Sequence, residues 1–529
     1  MNRKLLSLVS AGLAVSVVFL AGCKKNNSKT AIDMSAEYGD YPIQTDETLT
    51  FWSALHPNAS STVSNLGETE YAKELEKETG IKIEYIHPAV GKEAEAFSLL
   101  LASGEYPDMI KQDWMNAQGG PSAMISDKVI LPLNDLMEKY APNLSKYLKD
   151  NPDIDRQIKT DNNEYYVFPF IRGDESLLLS AGPIVRDDWL KDLGLSAPKT
   201  ISDWENMLAA FKDKKGATAP LTLIPANDAS LYFLFDSTPG FYVDNNTVKY
   251  GPMESEYRTA VETLHKWYEN GWLDKNYISA DSAAKTYNIL GGVSGVTFGG
   301  GGGDLGKWME AKKDDPNFSL AGISYPLAAN GKPVSKVSLN TKYSSYGSVA
   351  ITTSCKNPSL AAKWLDYGYS EKGHMLNNFG IENKSYTMVD GYPKYSELIT
   401  KNPDGLSFAQ AMSLYTMSYN NGPFVQDKRY LEQYYQTQAQ RNALSAWLEC
   451  YDESSKHSYP TATLTEEESS QYASLYNEIE KYRNEQTTGF IRGTISLDKY
   501  DNYLATLKQL NADKVIEIKQ AAYDRYLKR

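Results

Sequence analysis

The sequence predicts an α/β fold with more than one lobe and a helical C-terminal region. Three observations carry this prediction: strand-like and helix-like segments alternate from residue 49 onward, the turns between them are short, and 529 residues exceed the length of a typical single domain. A β-α-β order with short turns implies a parallel sheet covered by helices. Ligands of such sheets bind at the carboxyl ends of the strands.

The first unit is predicted from residue 49. The apolar runs "LTFW", "IKIEYI" and "PDMI" predict strands. Between them, "ETEYAKELEKETG" and "EAEAFSLLLASG" predict amphipathic helices that end at Gly80 and Gly104. These segments follow one another in the order β-α-β-α-β, so they predict one sheet.

A second unit is predicted after "YYVFPFIRGDE". "SDWENMLAAFK" carries a capping box from Ser202 to Glu205 and precedes the strand-like "LTLIP", and "ESEYRTAVETLHKWYENG" predicts a helix that ends at a glycine. "GVTFGG" and "YSSYGSVAITT" predict strands, and "PSLAAKWLDYGYS" predicts a helix. The last 70 residues are mainly helical, with a capping box from Thr465 to Glu468.

The N-terminal residues predict export. "MNRKLLSLVSAGLAVSVVFLAGC" has a basic start, small residues at its end, and between them an apolar run shorter than the roughly 20 residues of a membrane-spanning helix. "LAGC" resembles the bacterial lipobox, whose cysteine becomes an acylated N-terminus; a secretory signal with a chance cysteine is the alternative. We expect a lipoprotein signal peptide over 1–22, lipidation of Cys23 and a flexible tether over 23–45. The protein would then be anchored at the extracellular face of the bacterial cell membrane.

The composition argues against several function classes. A formal charge of -13 argues against nucleic acid as a partner, because phosphate contacts need clustered Lys and Arg. Five scattered histidines without a Cys/His cluster give a zinc site little to build on, and we expect no metal and no other cofactor. If Cys23 carries the lipid, two cysteines are left, Cys355 and Cys450. Their spacing in the sequence does not decide whether they form a disulfide. Neither G-x-S-x-G nor H-E-x-x-H occurs.

Five segments occur in an order that is found in a known family: "LASGEYPDMI", "VILPLNDLMEKYAPNL", "VRDDWLKDLGLSAPKTISDWENMLAAFK", "GYSEKGHMLNNFGIENKSYTMVDGYPKYS" and "AYDRYLKR". They resemble the long lipoprotein branch of the family 1 extracellular solute-binding proteins, which are distantly similar to maltose-binding protein. The resemblance implies the type II periplasmic-binding-protein fold, with hinge segments near "FIRGDES" and "YSSYGSV". Lobe 1 would comprise 46–172 plus 347–400, and lobe 2 would comprise 173–346 plus 401–529.

The resemblance also implies a function. Family members serve ABC importers, mostly for oligosaccharides, and have no catalytic role. We therefore expect a monomeric receptor whose partners are an oligosaccharide, the permease subunits and the membrane. A peptide or another nutrient is the alternative ligand, and a surface glycoside hydrolase or an adhesin is the alternative class. Some long members carry an acidic calcium loop after "LAAFK", but "KDKKGATAP" here contains one acid, Asp213, which predicts no calcium at that position.

The glycine run "GGVSGVTFGGGGGDLGKWM", residues 291–309, matches two nucleotide-binding motifs. Gly301 to Gly306 contain G-x-G-x-x-G, and Gly301 to Lys307 spell G-x-x-x-x-G-K. Trp308 replaces the Ser/Thr that would hold magnesium, and no acid lies about 20 residues further within one βαβ unit, so both motifs are rejected. Either the glycines permit a tight turn at positive φ, or they let the backbone approach a ligand. The place of the equivalent loop in the family favours the second reading.

Tryptophans are candidate sugar platforms, because the apolar C–H face of a pyranose packs on an indole while its hydroxyls need planar polar partners. Trp52 ends the first strand and Trp114 follows the third. Asp304 and Trp308 lie in the glycine loop, and the resemblance adds Trp447 from the late helical segment. The other tryptophans in helical patterns predict core packing: Trp189, Trp204, Trp267 and Trp364.

Polar candidates lie at the predicted cleft and hinges. They are His56 after the first strand, Asp113 before Trp114, Arg172 and Glu175 at the first hinge, Arg186 before the "DDWL" helix, and Tyr346 at the second hinge. Arg172 and Arg186 would let the site hold an acidic sugar through paired donors.

Overall fold

The computed structural model describes residues 34–225 and 229–529. The predicted signal peptide and Cys23 lie outside the described residues. The strands are β1 (Thr48–Trp52), β2 (Lys82–Ile86), β3 (Met109–Lys111), β4 (Phe168–Arg172), β5 (Ala181–Arg186), β6 (Phe241–Asp244), β7 (Thr247–Tyr250), β8 (Val296–Gly300), β9 (Leu320–Gly322), β10 (Tyr343–Ile351), β11 (Tyr386–Val389), β12 (Tyr392–Tyr395) and β13 (Val425–Gln426).

Helices account for more of the chain than strands do. They are α1 (Pro57–Ser60), α2 (Glu70–Thr79), α3 (Glu93–Ser103), α4 (Gly120–Ser126), α5 (Asn134–Tyr140), α6 (Pro142–Asp150), α7 (Pro152–Gln157), α8 (Asp187–Leu193), α9 (Ile201–Lys215), α10 (Ala229–Phe233), α11 (Ser255–Glu269), α12 (Ser282–Leu290), α13 (Lys307–Ala311), α14 (Pro358–Tyr367), α15 (Glu371–Phe379), α16 (Glu397–Thr400), α17 (Phe408–Tyr415), α18 (Lys428–Tyr434), α19 (Gln438–Leu448), α20 (Tyr451–His457), α21 (Glu466–Arg492), α22 (Tyr500–Gln509) and α23 (Ala512–Tyr526). None of the helices in the described ranges has the length and apolarity needed to span a membrane.

Two sheets define two lobes. Lobe 1 is built on a six-stranded sheet in the order β13-β4-β10-β3-β1-β2, in which β1 runs parallel to both β2 and β3 as predicted. Lobe 2 is built on the antiparallel sheet β8-β5-β9. Each sheet has its own hydrophobic core, drawn from 43–171, 343–376 and 417–424 in lobe 1 and from 179–337 and 443–515 in lobe 2. The two-lobed α/β fold expected from the sequence is confirmed.

Lobe 1 extends further along the chain than residue 400, where the sequence prediction ends it. Met417 and Phe424 pack into the lobe 1 core, and β13 pairs in parallel with β4 at the edge of the same sheet. The two cysteines lie apart, because Cys355 belongs to the lobe 1 core and Cys450 to the lobe 2 core. Both thiols are free.

The chain crosses between the lobes three times: after β4, before β10 and after β13. Backbone hydrogen bonds hold these crossings side by side, because the Arg172 N–H donates to Lys342 O and the Gly173 N–H donates to Gln426 O. The carboxyl ends of β1, β3 and β4 and the start of β10 meet at this edge of the lobe 1 sheet. This edge of the sheet therefore lies next to the crossings that lead into lobe 2.

Two local predictions in lobe 2 are wrong. The capping box of α9 is formed by Thr200 and Asp203, whose side chains each accept the other's backbone N–H, so the helix begins before Ser202. "LTLIP" is not a strand, because only Leu221 forms bridges, one to Leu273 and one to Val296. Prolines on both sides of this segment have no N–H to donate, which limits a longer ladder.

Candidate functional site

Tyr346 projects from a bulge in β10 at the edge of lobe 1 that faces the hinge. Ser344 pairs with Phe170, whereas Val349 pairs with Phe168, so the residues between them leave the ladder. The bulge turns at Gly347, whose φ is 99°, in a position where a side chain would collide with Asn421. The Tyr346 ring is 56% exposed, so its flat aromatic face is open to solvent.

Asp113 lies beside this bulge, because the N–H of Gln112 donates to Ser348 O at 3.2 Å. One carboxylate oxygen of Asp113, Oδ2, accepts a hydrogen bond from the Asn116 amide at 2.8 Å. The other, Oδ1, is buried and has no hydrogen-bond partner among the described residues. A buried acceptor without a partner costs free energy, so this oxygen lacks a hydrogen bond that a further group would have to supply.

His56 and Tyr419 lie at the same edge of lobe 1. The His56 Nδ1 accepts the N–H of Asn58 at 3.2 Å, and the imidazole meets the Tyr419 ring edge to face with centroids 5.1 Å apart. Burial, together with the positive charge of Lys111, lowers the pKa of His56 to about 4, so its ring is neutral at pH 7. The buried Tyr419 hydroxyl has no partner within the described part of the chain.

Sequence reasoning missed Lys111 and the segment that holds it. Lys111 ends β3, and its ammonium donates to Asn421 O at 2.7 Å and to Asn420 Oδ1 at 3.2 Å. The signal available in the sequence was the "NNGP" turn at 420–423, which marks a break before a new element. Nothing in the sequence joined this turn to "MIK", since the two lie about 300 residues apart.

Two of the predicted hinge residues lie at the first crossing. Arg172 is half-buried; its Nη1 donates to Thr341 O at 2.9 Å, and its guanidinium lies 5.4 Å from the centre of the Phe170 ring. Burial lowers the pKa of Arg172. Glu175 is exposed and opens a short turn between β4 and β5. Arg172 thus ties two crossings together, while the Glu175 carboxylate accepts a hydrogen bond from the Tyr451 hydroxyl.

The glycine loop lies in lobe 2 and makes its contacts mainly through its backbone. After β8, residues Gly301–Gly306 form a π-helical turn that leads into α13. A side chain at Gly301 would collide with Tyr435, and one at Gly302 would collide with Tyr434, so the loop packs against the third crossing. None of its glycines has a positive φ. Gly301 and Gly302 therefore serve close backbone packing, and the turn itself needs no positive φ; Gly292, earlier in the run, has a φ of 74°.

The comparisons with known proteins agree with this architecture. The family model described as bacterial extracellular solute-binding protein matches residues 59–375. The chain belongs to this family. A fructooligosaccharide ABC transporter substrate-binding protein of Streptococcus pneumoniae, FusA, is 26% identical over 99% of both chains. Lipoprotein LipO of Bacillus subtilis is 24% identical over 79% of this chain and 81% of its own.

Solved structures of solute-binding proteins share the fold. The crystal structure of the alginate-binding protein AlgQ2 without calcium matches with a TM-score of 0.73 at 24% identity, covering 92% of this chain and all of that one. The members of the family are binding proteins. Among the described residues, no group of three or more His, Cys, Asp or Glu is placed to hold a metal ion.

Four tryptophans predicted to stack on a sugar are packing residues in this solute-binding protein. Trp52, Trp114, Trp308 and Trp447 are each at most 5% exposed. Trp52 and Trp114 both pack on Phe97, with ring centroids 5.9 and 5.8 Å apart. Their rings fill the cores, so no indole face is open to a ligand. The core packing predicted for the helical tryptophans is confirmed: Trp189, Trp204, Trp267 and Trp364 are all buried.

Two charged candidates are held in structural contacts. Asp304 turns back on its own loop, where its Oδ2 accepts the Gly300 N–H at 2.9 Å and the Lys285 ammonium at 3.1 Å. Arg186 is buried at the end of β5 that points away from the hinge, and it forms a paired hydrogen bond with Asp188 at 2.8 and 2.5 Å. Neither side chain faces the edge that carries Tyr346.

Proposed function

We propose that this solute-binding protein captures an oligosaccharide between its lobes and delivers it to the permease of an ABC importer. The observation that carries the proposal is the exposed Tyr346 ring, at an edge of lobe 1 that also holds two buried oxygens without a partner among the described residues, Asp113 Oδ1 and the Tyr419 hydroxyl. An aromatic face beside a few convergent polar atoms is the arrangement that binds a sugar ring and its hydroxyls. The similarity to FusA over almost the whole of both chains supports this ligand class.

Capture is a population shift between open and closed arrangements of the lobes. A ligand that contacts both lobes only when they are closed stabilises the closed arrangement by its differential affinity. Tyr346, Asp113 and His56 supply the contacts of lobe 1. Glu175 and the backbone around Gly303, the exposed tip of the glycine loop, supply those of lobe 2. No bond is made or broken in the ligand.

We also propose that the mature protein is tethered to the outer face of the membrane through a lipid on Cys23. The lipobox "LAGC" supports this anchor, as does the similarity to a protein named as a lipoprotein. In the producing bacterium, Cys23→Ser should move the protein from the membrane fraction to the medium and abolish labelling by a palmitate analogue. Retention of the label in Cys23→Ser would contradict the assignment.

A thermal-shift screen tests the ligand class. Oligosaccharides of several linkages and a set of short peptides are added to the mature chain, and we expect the melting temperature to rise with oligosaccharides. Tyr346→Ala should remove the shift, whereas Tyr287→Ala, which replaces another exposed tyrosine on α12, should retain it. Stabilisation by peptides alone would refute the proposal.

A further inference from the structure

Lys111 has a buried ammonium group at the edge of lobe 1 that carries Tyr346. The residue is 8% exposed, and its ammonium has three N–H donors, of which two are used by Asn420 and Asn421. No Asp or Glu among the described residues forms an ion pair with it. Burial, without a compensating acid, lowers the pKa of Lys111 to about 7.

Buried charges in proteins are ordinarily paired, because desolvation costs several kcal/mol per ion. This exception occurs in a chain whose formal charge is -13, so acids are abundant elsewhere. The titratable groups around Lys111 are the imidazoles of His56 and His87 and the phenols of Tyr71, Tyr85 and Tyr419. Burial lowers the pKa of both imidazoles and raises the pKa of all three phenols, so all five are neutral at pH 7.

Lys111 also lines a small cavity at the same edge. The cavity measures about 30 Å³ and lies between the ends of β1 and β3, α2, α14 and the 417–423 segment, and most of the side chains around it are apolar. Ser53, Asn377 and Asn420 contribute polar groups to its wall. About 10 to 15 Å³ suffices for one water, so the cavity has space for about two water-sized atoms, as many as the oxygens of a carboxylate.

We propose that Lys111 is the specificity residue that binds an anionic substituent, a carboxylate or a sulfate ester, of the captured oligosaccharide. This inference rests on the proposed function and adds the ligand's charge to it. The third N–H of the ammonium donates to the anionic group, and the ligand supplies the counter-ion that the described residues do not. The Tyr346 backbone is joined to this site through Asn421, whose side chain donates to Tyr346 O at 3.2 Å.

Calorimetric titration of the full mature chain tests the inference with three sets of size-matched trisaccharides: neutral hexosides, uronosides and sulfated hexosides. We expect a uronoside or a sulfated sugar to bind more tightly than its neutral counterpart, and the two acidic sets distinguish carboxylate from sulfate. Lys111→Met should weaken the acidic ligand by about 30-fold or more, because a desolvated charge pair is worth at least 2 kcal/mol when one partner is removed. Lys111→Arg should retain most of the affinity.

Lys519 provides the matched control. It is also a largely buried lysine, with its ammonium over the rings of Tyr459 and Tyr472 in lobe 2, and burial lowers its pKa to about 8. Lys519→Met should leave the affinity unchanged. An equal loss of neutral and acidic ligands in Lys111→Met would show that Lys111 only fastens the 420–421 segment, and would overturn the inference.

The remaining outcomes separate this inference from the proposed function. Binding of neutral sugars alone would overturn the role of Lys111 and leave oligosaccharide capture intact. Failure of all three sets to bind would overturn both. Affinity for the acidic ligand should also fall as the pH rises from 7 to 9, because Lys111 then loses its proton while its five titratable neighbours stay neutral; a constant affinity over this range would contradict the inference.

Discussion

Lys111 and Lys519 have buried ammonium groups that no carboxylate of the described residues neutralises. The Lys111 ammonium donates two hydrogen bonds to amide oxygens, and aromatic rings face the ammonium of Lys519. Neither arrangement offsets desolvation, because the pKa falls to about 7 for Lys111 and to about 8 for Lys519. Both side chains therefore lower the stability of the folded chain wherever they are protonated.

This burial predicts a dependence of stability on pH. Folding lowers the pKa of Lys111 from 10.5 to about 7, so between these values the unfolded chain binds the proton more tightly and stability rises with pH. The change is up to about 1.4 kcal/mol per pH unit. In urea unfolding, Lys111→Met should be more stable than the wild type at pH 6.5, and roughly 1 to 3 kcal/mol of that advantage should disappear by pH 9. A difference that does not vary with pH would contradict this assignment.

Residue roles were the least predictable feature of the sequence. Trp447 fits the pattern of a late aromatic in the family, yet its indole donates to Pro183 O, 264 residues away, inside the lobe 2 core. Lys111 ends an ordinary strand, and its acceptor Asn421 lies 310 residues away. Burial of a single side chain depends on such distant partners, which periodicity within a short window does not contain.

At the scale of elements, local sequence signals predicted the helices whose ends are formed by residues within the same segment. Helices α2 and α3 end at Gly80 and Gly104, both in the left-handed region, as the glycines in the sequence predicted. The glycine loop behaves differently. Its glycines leave room for the rings of Tyr434 and Tyr435, which lie far away in the sequence. Their purpose could not be read from the run itself.

The two contact patterns in this loop give a matched pair of substitutions. Gly302→Ala should destabilise the chain by about 1 to 3 kcal/mol, because the new methyl group meets the Tyr434 ring. Gly303→Ala should change the free energy of unfolding by no more than about 1 kcal/mol, since nothing lies within 4 Å of the position its methyl group would take. Chemical denaturation of both variants measures the difference, and equal effects would refute the packing role.

At the scale of the whole molecule, the lobes touch at a second place besides the three crossings. Asp161, in the loop before β4 of lobe 1, accepts hydrogen bonds from Arg525 at 2.5 Å and from Arg529, both at the C-terminal end of lobe 2. The Arg525 guanidinium also pairs with Glu468 near the start of α21. This cluster joins the C-terminal helices to lobe 1 and restricts how the lobes rotate.

Removing Asp161 tests the contribution of this cluster. Asp161→Ala leaves the buried Arg529 guanidinium without its carboxylate, so we expect a lower melting temperature and a loss of about 3 to 5 kcal/mol. The control is Asp150→Ala, which removes an exposed pair with Lys146 and should cost less than about 1 kcal/mol. A wild-type melting temperature in Asp161→Ala would show that the cluster does not hold the lobes together.

Closure of the two lobes on a sugar is the central claim, and small-angle X-ray scattering tests it most directly. The mature chain is titrated with the oligosaccharide that raises its melting temperature most. We expect the radius of gyration to fall and to saturate with the calorimetric affinity, and Tyr346→Ala to show no fall at the same concentrations. A ligand that saturates the protein while the radius of gyration stays constant would contradict capture between the lobes.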